Sequence, residues 1–235
     1  MSVDPIPVRS VETLECRHCG AGAPIDEHFC GQCTKILALG RHGNYFAFFG
    51  LPRKLAMDAR DLERRFRELS RKFHPDYFYN AESSERLASL ERTSYLNDAY
   101  RTLRDPLARI EYLLSLEGLP PPSQSGEASA AVPPALLEEV FALNEDLDEI
   151  REQRESGAGP VGLSEQLEQA RRPIEQKHLD HEQRLAKLSA AWDALVDDSP
   201  DRGATLTALR ELLVERHYIQ NLMATIERET AGGVR

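Results

Sequence analysis

The chain has 235 residues, enough for one or two domains with a sizeable core. Charged residues make up 29% and aromatics 7%, which suits helices, and a formal net charge of −10 argues against non-specific binding to nucleic acid or to an anionic membrane. No run of about 18 apolar residues occurs, so no membrane span is expected. The opening stretch carries Asp4, Glu12 and Glu15 against Arg9 alone. That is unlike a secretory signal or an Arg-rich transit peptide, and a cytoplasmic location is expected.

All four cysteines follow, as Cys16-Arg17-His18-Cys19 and Cys30-Gly31-Gln32-Cys33. Two Cys-x-x-Cys pairs at this separation can bring four thiolates around one tetrahedral ion. In a reducing compartment metal is favoured over disulfides. Four sulfur ligands close the coordination sphere, so a structural Zn2+ held by Cys16, Cys19, Cys30 and Cys33 is expected. A redox-active dithiol and an iron-binding knuckle are the alternatives. Gly20, Gly22 and Gly31 are expected to supply the tight turns, and His18 and His28 to be exposed loop residues. So small a segment has almost no core, and metal binding should supply most of its folding free energy.

Asn44 to Pro52 is an aromatic stretch closed by Gly50 and Pro52, read as a two-turn helix. After it, Leu62, Phe66, Leu69 and Phe73 recur at helical spacing and make one apolar stripe. Arg60, Arg64, Arg67 and Arg71 repeat on another face, with Arg65 and Lys72 beside them. Asp58 is the expected N-cap. Pro75 disfavours helical geometry at His74 and lacks a backbone donor, so the helix should stop there. His74, Pro75 and Asp76 then lie in a loop at the tip of a basic rod. A second helix is predicted from near Ser83 or Ser84, with Leu87, Leu90, Leu96, Tyr100 and Leu103 inward and Asp105-Pro106 as its end.

A basic helix, His-Pro-Asp and a second helix together resemble a J-domain, the module by which co-chaperones stimulate the ATPase of DnaK-type chaperones. The resemblance, not the periodicity, implies that His74, Pro75, Asp76, Arg60, Arg64, Arg65, Arg67, Arg71 and Lys72 bind the chaperone. Tyr45-Phe46, Phe49-Gly50-Leu51-Pro52 and the run from Asn97 through Arg109, Tyr112, Leu113 and Leu114 resemble more narrowly the HscB family of iron–sulfur cluster assembly. From the residues themselves, Tyr112, Leu113 and Leu114 read as core packing between domains.

Residues 119–134 hold Pro120-Pro121-Pro122, serines and an alanine run, and read as a linker. Leu136, Val140, Leu143, Leu147 and Ile150 then follow a four-three pattern that makes a seam. Leu137 and Phe141 lie off that seam, either on a wide bundle stripe or on a docking patch. The HscB resemblance extends through Leu143 to Ile150. It implies that this helix binds the iron–sulfur scaffold protein through Leu137, Phe141 and Glu145, with Tyr218 joining from the last helix. Glu138 and Ala142 depart from the residues that family often carries there. Residues 157–162 read as a turn. A long seam runs over Leu163, Leu167, Ala170, Ile174, His181, Leu185, Leu188, Trp192 and Leu195, which Pro173 should kink or divide. His178 and His181 read as a core pair. Leu209, Leu212, Ile219, Met223 and Ile226 define the last helix.

The expected fold is all-α: a J-domain helical hairpin followed by a C-terminal three-helix bundle, preceded by a small zinc knuckle. The expected organisation is a tail over 1–15, the knuckle over 16–40, the J-domain over 43–118, the linker over 119–134 and the bundle over 135–231. The resemblance implies a non-enzyme that stimulates a DnaK/HscA-class chaperone ATPase and delivers an IscU-like scaffold protein to it. No nucleic-acid or membrane partner is expected. The alternatives are a general J-domain co-chaperone for unfolded clients, or a zinc-ribbon nucleic-acid-binding protein. Arg17, Lys35 and Arg41 make no dense basic patch for the latter.

Overall fold

The computed structural model describes residues 13–40, 44–122, 136–156, 160–196 and 199–232. The tail before Thr13, most of the linker, Arg41 and the centre of the turn at 157–159 lie outside them, as does the side chain of Leu163. The chain forms two compact units, one ending at Arg109 and the other beginning at Ile110. Their boundary falls within a helix rather than in the proline-rich stretch.

The first unit is helical apart from two short antiparallel strands, β1 (Thr13–Glu15) and β2 (Gly22–Pro24), which flank the first cysteine pair. Helix α1 (Tyr45–Phe48) makes one turn, not two. The Asn44 side chain caps it, and Gly50 (φ 62°) then enters the left-handed region and ends it. Its Phe46 and Phe48, with Phe49, are buried. Helix α2 (Ala59–Phe73) starts on the Asp58 cap, whose carboxylate accepts from the Arg60 amide at 2.8 Å. Leu62, Leu69 and Phe73 are buried along its stripe, and Phe66 stacks on Tyr100 at 4.2 Å between centroids. The helix ends at His74, and Pro75–Phe78 form a 3-10 turn, tighter than the open loop expected.

Helix α3 (Ser83–Arg104) begins at the anticipated serine, but its cap position is Glu82, which makes no side-chain capping bond. Leu96 and Leu103 are buried and Tyr100 is half-buried, as expected. Leu87 and Leu90 are not: they are 48% and 55% exposed. The buried stripe runs instead through Glu85, Ser89, Arg92, Leu96, Ala99 and Leu103. Those positions face α2 and the cysteine segment, so tertiary packing overrides the leucine pattern. Helix α4 (Pro106–Leu116) follows, started by the Asp105 carboxylate, which accepts from the Leu107 and Ala108 amides. Arg109 is buried, with its Nε donating to the Leu103 carbonyl at 2.7 Å and a second bond to the Leu55 carbonyl.

In the second unit α4 closes in a Schellman motif, with Gly118 at φ 80° and the Leu119 amide bonded to the Leu114 carbonyl at 2.9 Å. Leu113 and Leu114 are fully buried. Helices α5 (Leu137–Glu155), α6 (Pro160–Ala194) and α7 (Asp201–Gly232) form the bundle. Its core joins Leu143, Leu147, Ile150, Ala170, Ile174 and Ile219 among others. Pro173 does not divide α6, which runs on as one element. Ala170 and Ile174 on either side of it are buried in the core, and that packing outweighs the lost backbone bond. His181 is buried and donates Nε2–H to the Leu212 carbonyl at 2.8 Å. Its Nδ1, like that of His178, is buried without a partner among the described residues. No described helix is long and apolar enough to cross a membrane.

Candidate functional site

The cysteine segment is two copies of one tight turn. The amide of Gly20 bonds back to the Cys16 carbonyl at 2.9 Å, and that of Thr34 to the Cys30 carbonyl at 2.8 Å. Gly20 (φ 74°) and Thr34 (φ 60°) occupy the same left-handed position, each right after the second cysteine of its pair. Thr34, rather than Gly22 or Gly31, therefore does the second job assigned to glycine. The four Sγ atoms lie within 4.8 Å of one another, with Cys16 to Cys33 at 3.6 Å and Cys19 to Cys30 at 3.7 Å. A tetrahedral ion with metal–sulfur bonds of about 2.3 Å places its sulfurs about 3.8 Å apart, so the donor set fits a metal ion. The backbone amides of Cys33 and Gln32 pull the Cys30 thiol down to about 6, and those of Cys19 and His18 lower Cys16. Both shifts run toward thiolate, the ligating form, at the first cysteine of each pair.

The knuckle does not hang free. Arg92 of α3 is 1% exposed and points into it: Nε donates to the Leu37 carbonyl at 2.7 Å, and Nη2 to those of Glu27 and Ala38 at 3.0 and 3.1 Å. Its Nη1 meets Nδ1 of His28 at 2.7 Å. Burial lowers Arg92 to about 10, so it stays charged at neutral pH. Lys35 pairs with the buried Glu85 at 2.8 Å, and His18 lies 3.6 Å from Glu82. His18 is exposed as expected, but His28 is not. Its ring packs edge-on to Phe48 and Phe73 at 4.8 and 5.0 Å. Burial, then the nearby Arg92 charge, lower it to about 4, so it is a neutral acceptor for the guanidinium. A lone histidine between cysteine pairs gave no sign of this.

At the far end of α2, His74 and Asp76 are exposed and Pro75 is half-buried. Nδ1 of His74 accepts from the Asp76 amide at 3.3 Å, which fixes the corner. The basic face is not uniform. Arg65 bonds Asp61 at 2.8 Å and also the Phe49 carbonyl at 2.9 Å, so part of its work is holding the α1 turn onto α2. Arg64 pairs with Asp61 and with Glu68, and Arg67 with Glu63, all on their own helix. Such exposed pairs are screened by solvent and open readily. The side chains of Arg60, Arg71 and Lys72 are exposed and make no ion pair or hydrogen bond among the described residues. Six cations against Asp61, Glu63 and Glu68 leave α2 with a net positive charge, and its last turn carries Arg71 and Lys72 beside His74.

On the bundle, Leu137 and Phe141 are 39% and 66% exposed, and Glu145 is exposed one turn further along the same stripe of α5. Leu136, Leu143, Leu147 and Ile150, on the opposite side, are buried. Tyr218 is not part of that stripe. It stands on α7, half-buried against the bundle core.

No family model matches the chain. Over 107 residues it is 41% identical to proteins described as co-chaperone protein HscB homologues from two strains of Vibrio cholerae serotype O1. That match takes in 46% of this chain and spans 61% of the length of those relatives. The structure resembles the chaperone HscB from Vibrio cholerae, with a TM-score of 0.51, 28% identity, and coverage of 82% of this chain and 100% of that one. The chain is thus similar to HscB co-chaperones in both sequence and structure. A crystal structure of human co-chaperone protein HscB shares the fold, with a TM-score of 0.62 at 23% identity over 92% of this chain and 98% of that one. The HscB-like architecture therefore extends beyond the segment matched in sequence.

Proposed function

We propose that this chain is an HscB-like co-chaperone of iron–sulfur cluster assembly, acting on a DnaK/HscA-class ATPase and an IscU-like scaffold. The observation that carries it is an exposed His74-Pro75-Asp76 corner at the end of a net-positive helix, in a chain similar to HscB co-chaperones. Arg71, Lys72 and Arg60 offer unpaired charge to an acidic chaperone surface, and Arg64 and Arg67 can exchange their local partners for it. Arg65 contributes chiefly by holding α1 in place. The chain would catalyse nothing itself. It would speed hydrolysis by binding preferentially to the chaperone's competent state.

The scaffold would dock on the Leu137, Phe141 and Glu145 stripe of α5, with Tyr218 at most a flanking contact. An exposed phenylalanine and leucine with an acidic neighbour favour one folded partner over assorted unfolded clients. Carrying both sites on one chain raises the local concentration of scaffold beside chaperone. The ion in the knuckle is proposed to be Zn2+, whose preference for a closed four-sulfur shell the donor set meets. A cytoplasmic location accords with free thiols and with the absence of a membrane-crossing helix among the described residues.

The test is chaperone ATP turnover with and without the purified protein. His74→Gln should abolish stimulation while leaving the circular dichroism spectrum unchanged. Stimulation equal to that of the unsubstituted chain would overturn the assignment.

A further inference from the structure

Helix α3 carries a polar row on its buried face, and every member of it reaches either the knuckle or the last residue of α2. Glu85 binds Lys35, and Ser89 donates to the Phe73 carbonyl at 2.6 Å. Arg92 takes three knuckle carbonyls and His28, and Thr93 donates again to the Phe73 carbonyl at 3.1 Å. The Phe73 ring, fully buried, is covered by His28 and by Phe29 at 5.0 and 6.1 Å, with the Arg92 guanidinium 5.7 Å from its centroid. His28 and Phe29 are the two residues immediately before Cys30, and His74 is the residue immediately after Phe73. The 3-10 turn of Pro75–Phe78 buries no residue of its own. The turn packs along α3, and Phe73, immediately before it, is its fully buried anchor on the knuckle side.

We propose that the metal-loaded knuckle is a bracket that fixes the His74-Pro75-Asp76 corner, with Arg92 as the positioning residue that fastens the bracket to the helical hairpin. The knuckle's own buried cluster is Cys16, Ala23, Cys30 and Leu37, too small to hold residues 27–38 in place without an ion. When the ion leaves, the carbonyls of Glu27, Leu37 and Ala38 lose their fixed positions. A buried guanidinium without acceptors must then draw in water, which opens the space over Phe73. The corner that follows loses its knuckle-side anchor and keeps only its contacts with α3, while the centre of α2 keeps its own packing. The link between bracket and corner stands on contacts within the first unit. Its importance for chaperone stimulation rests on the function proposed above.

Hydrogen exchange on the full chain tests the proposal, comparing protein loaded with Zn2+, protein stripped with EDTA, and Zn2+-loaded Arg92→Leu and Arg92→Lys. Metal analysis verifies retention of the ion in the variants. On stripping, and in Arg92→Leu, amides of residues 73–79 should exchange faster by about tenfold more than any change over residues 62–69. Arg92→Lys, which keeps the charge but has fewer donors, should fall between. Equal acceleration over both segments, or a change confined to residues 13–38, overturns the proposal. Should Arg92→Leu not fold, the stripped protein and Arg92→Lys carry the same comparison. ATPase stimulation measured on the same samples separates the two readings. A responsive corner with no stimulation in the loaded unsubstituted protein would sink the co-chaperone assignment alone. Normal stimulation with an unresponsive corner would sink the bracket alone.

Discussion

Helices α3 and α5 are both amphipathic, and they bury different chemistry. On α5 most of the apolar seam is buried: Leu136, Leu143, Leu147 and Ile150 are at 3% exposure or less, Val140 is half-buried, and the two off-seam residues, Leu137 and Phe141, are exposed. On α3 two leucines face outward while Glu85, Ser89 and Arg92 are buried. The seam of α5 meets other apolar seams, so hydrophobic spacing is the whole instruction. The buried face of α3 meets a cysteine knuckle rich in free carbonyls and the open end of another helix. Both need donors, and a leucine in place of Arg92 would take away the donor of three knuckle carbonyls at once.

The sharpest way to break this contrast is within α3 itself. Leu96→Ala should cost about 3 kcal/mol by chemical denaturation, as expected for emptying a fully buried site. Leu87→Ala, at an exposed position, should stay within about 0.5 kcal/mol. A large loss at Leu87 would mean that the leucine pattern had been right and the polar stripe wrong. On α5 the contrast predicts binding without stability. Replacing Leu137 and Phe141 together by Ala should weaken scaffold binding by roughly 30-fold, about 2 kcal/mol, with an unchanged unfolding midpoint. Undiminished affinity by calorimetry would remove that stripe from the scaffold site. Ser89→Ala should cost about 1 kcal/mol, since Thr93 still serves the Phe73 carbonyl. No loss would show that the second hydroxyl suffices.

The same contrast explains what could be read in advance. The helices, the Asp58 cap, the stop at His74 and the clustering of four cysteines follow from local rules of spacing and backbone chemistry, and all are present. Three features were illegible. His28 lies inside and Leu87 outside because the knuckle docks on α3, a long-range event with no periodic signature. Arg65 looks like its neighbours in sequence, yet only it reaches the carbonyls of Phe49 and Gly50, which depends on where α1 comes to rest. Pro173 sits in an intact helix because Ala170 and Ile174 beside it are buried in the bundle core, and local propensity carries no knowledge of that.

The two halves of the knuckle offer the finest comparison, because the same left-handed corner is held by different residues in each. Gly20 and Thr34 hold equivalent left-handed corners, at φ 74° and 60°. Glycine adopts this conformation at no steric cost, whereas a β-branched residue clashes there by about 1–2 kcal/mol. Replacing threonine by glycine also frees the unfolded chain, which offsets about 0.4–1 kcal/mol of that relief. Thr34→Gly should therefore stabilise the loaded protein by about 0 to 1.6 kcal/mol, seen as a small rise in melting temperature with metal affinity maintained or improved. A clear fall in melting temperature would mean that the threonine side chain makes a stabilising contact outweighing its backbone strain, and that the two turns are alike in trace but not in what holds them.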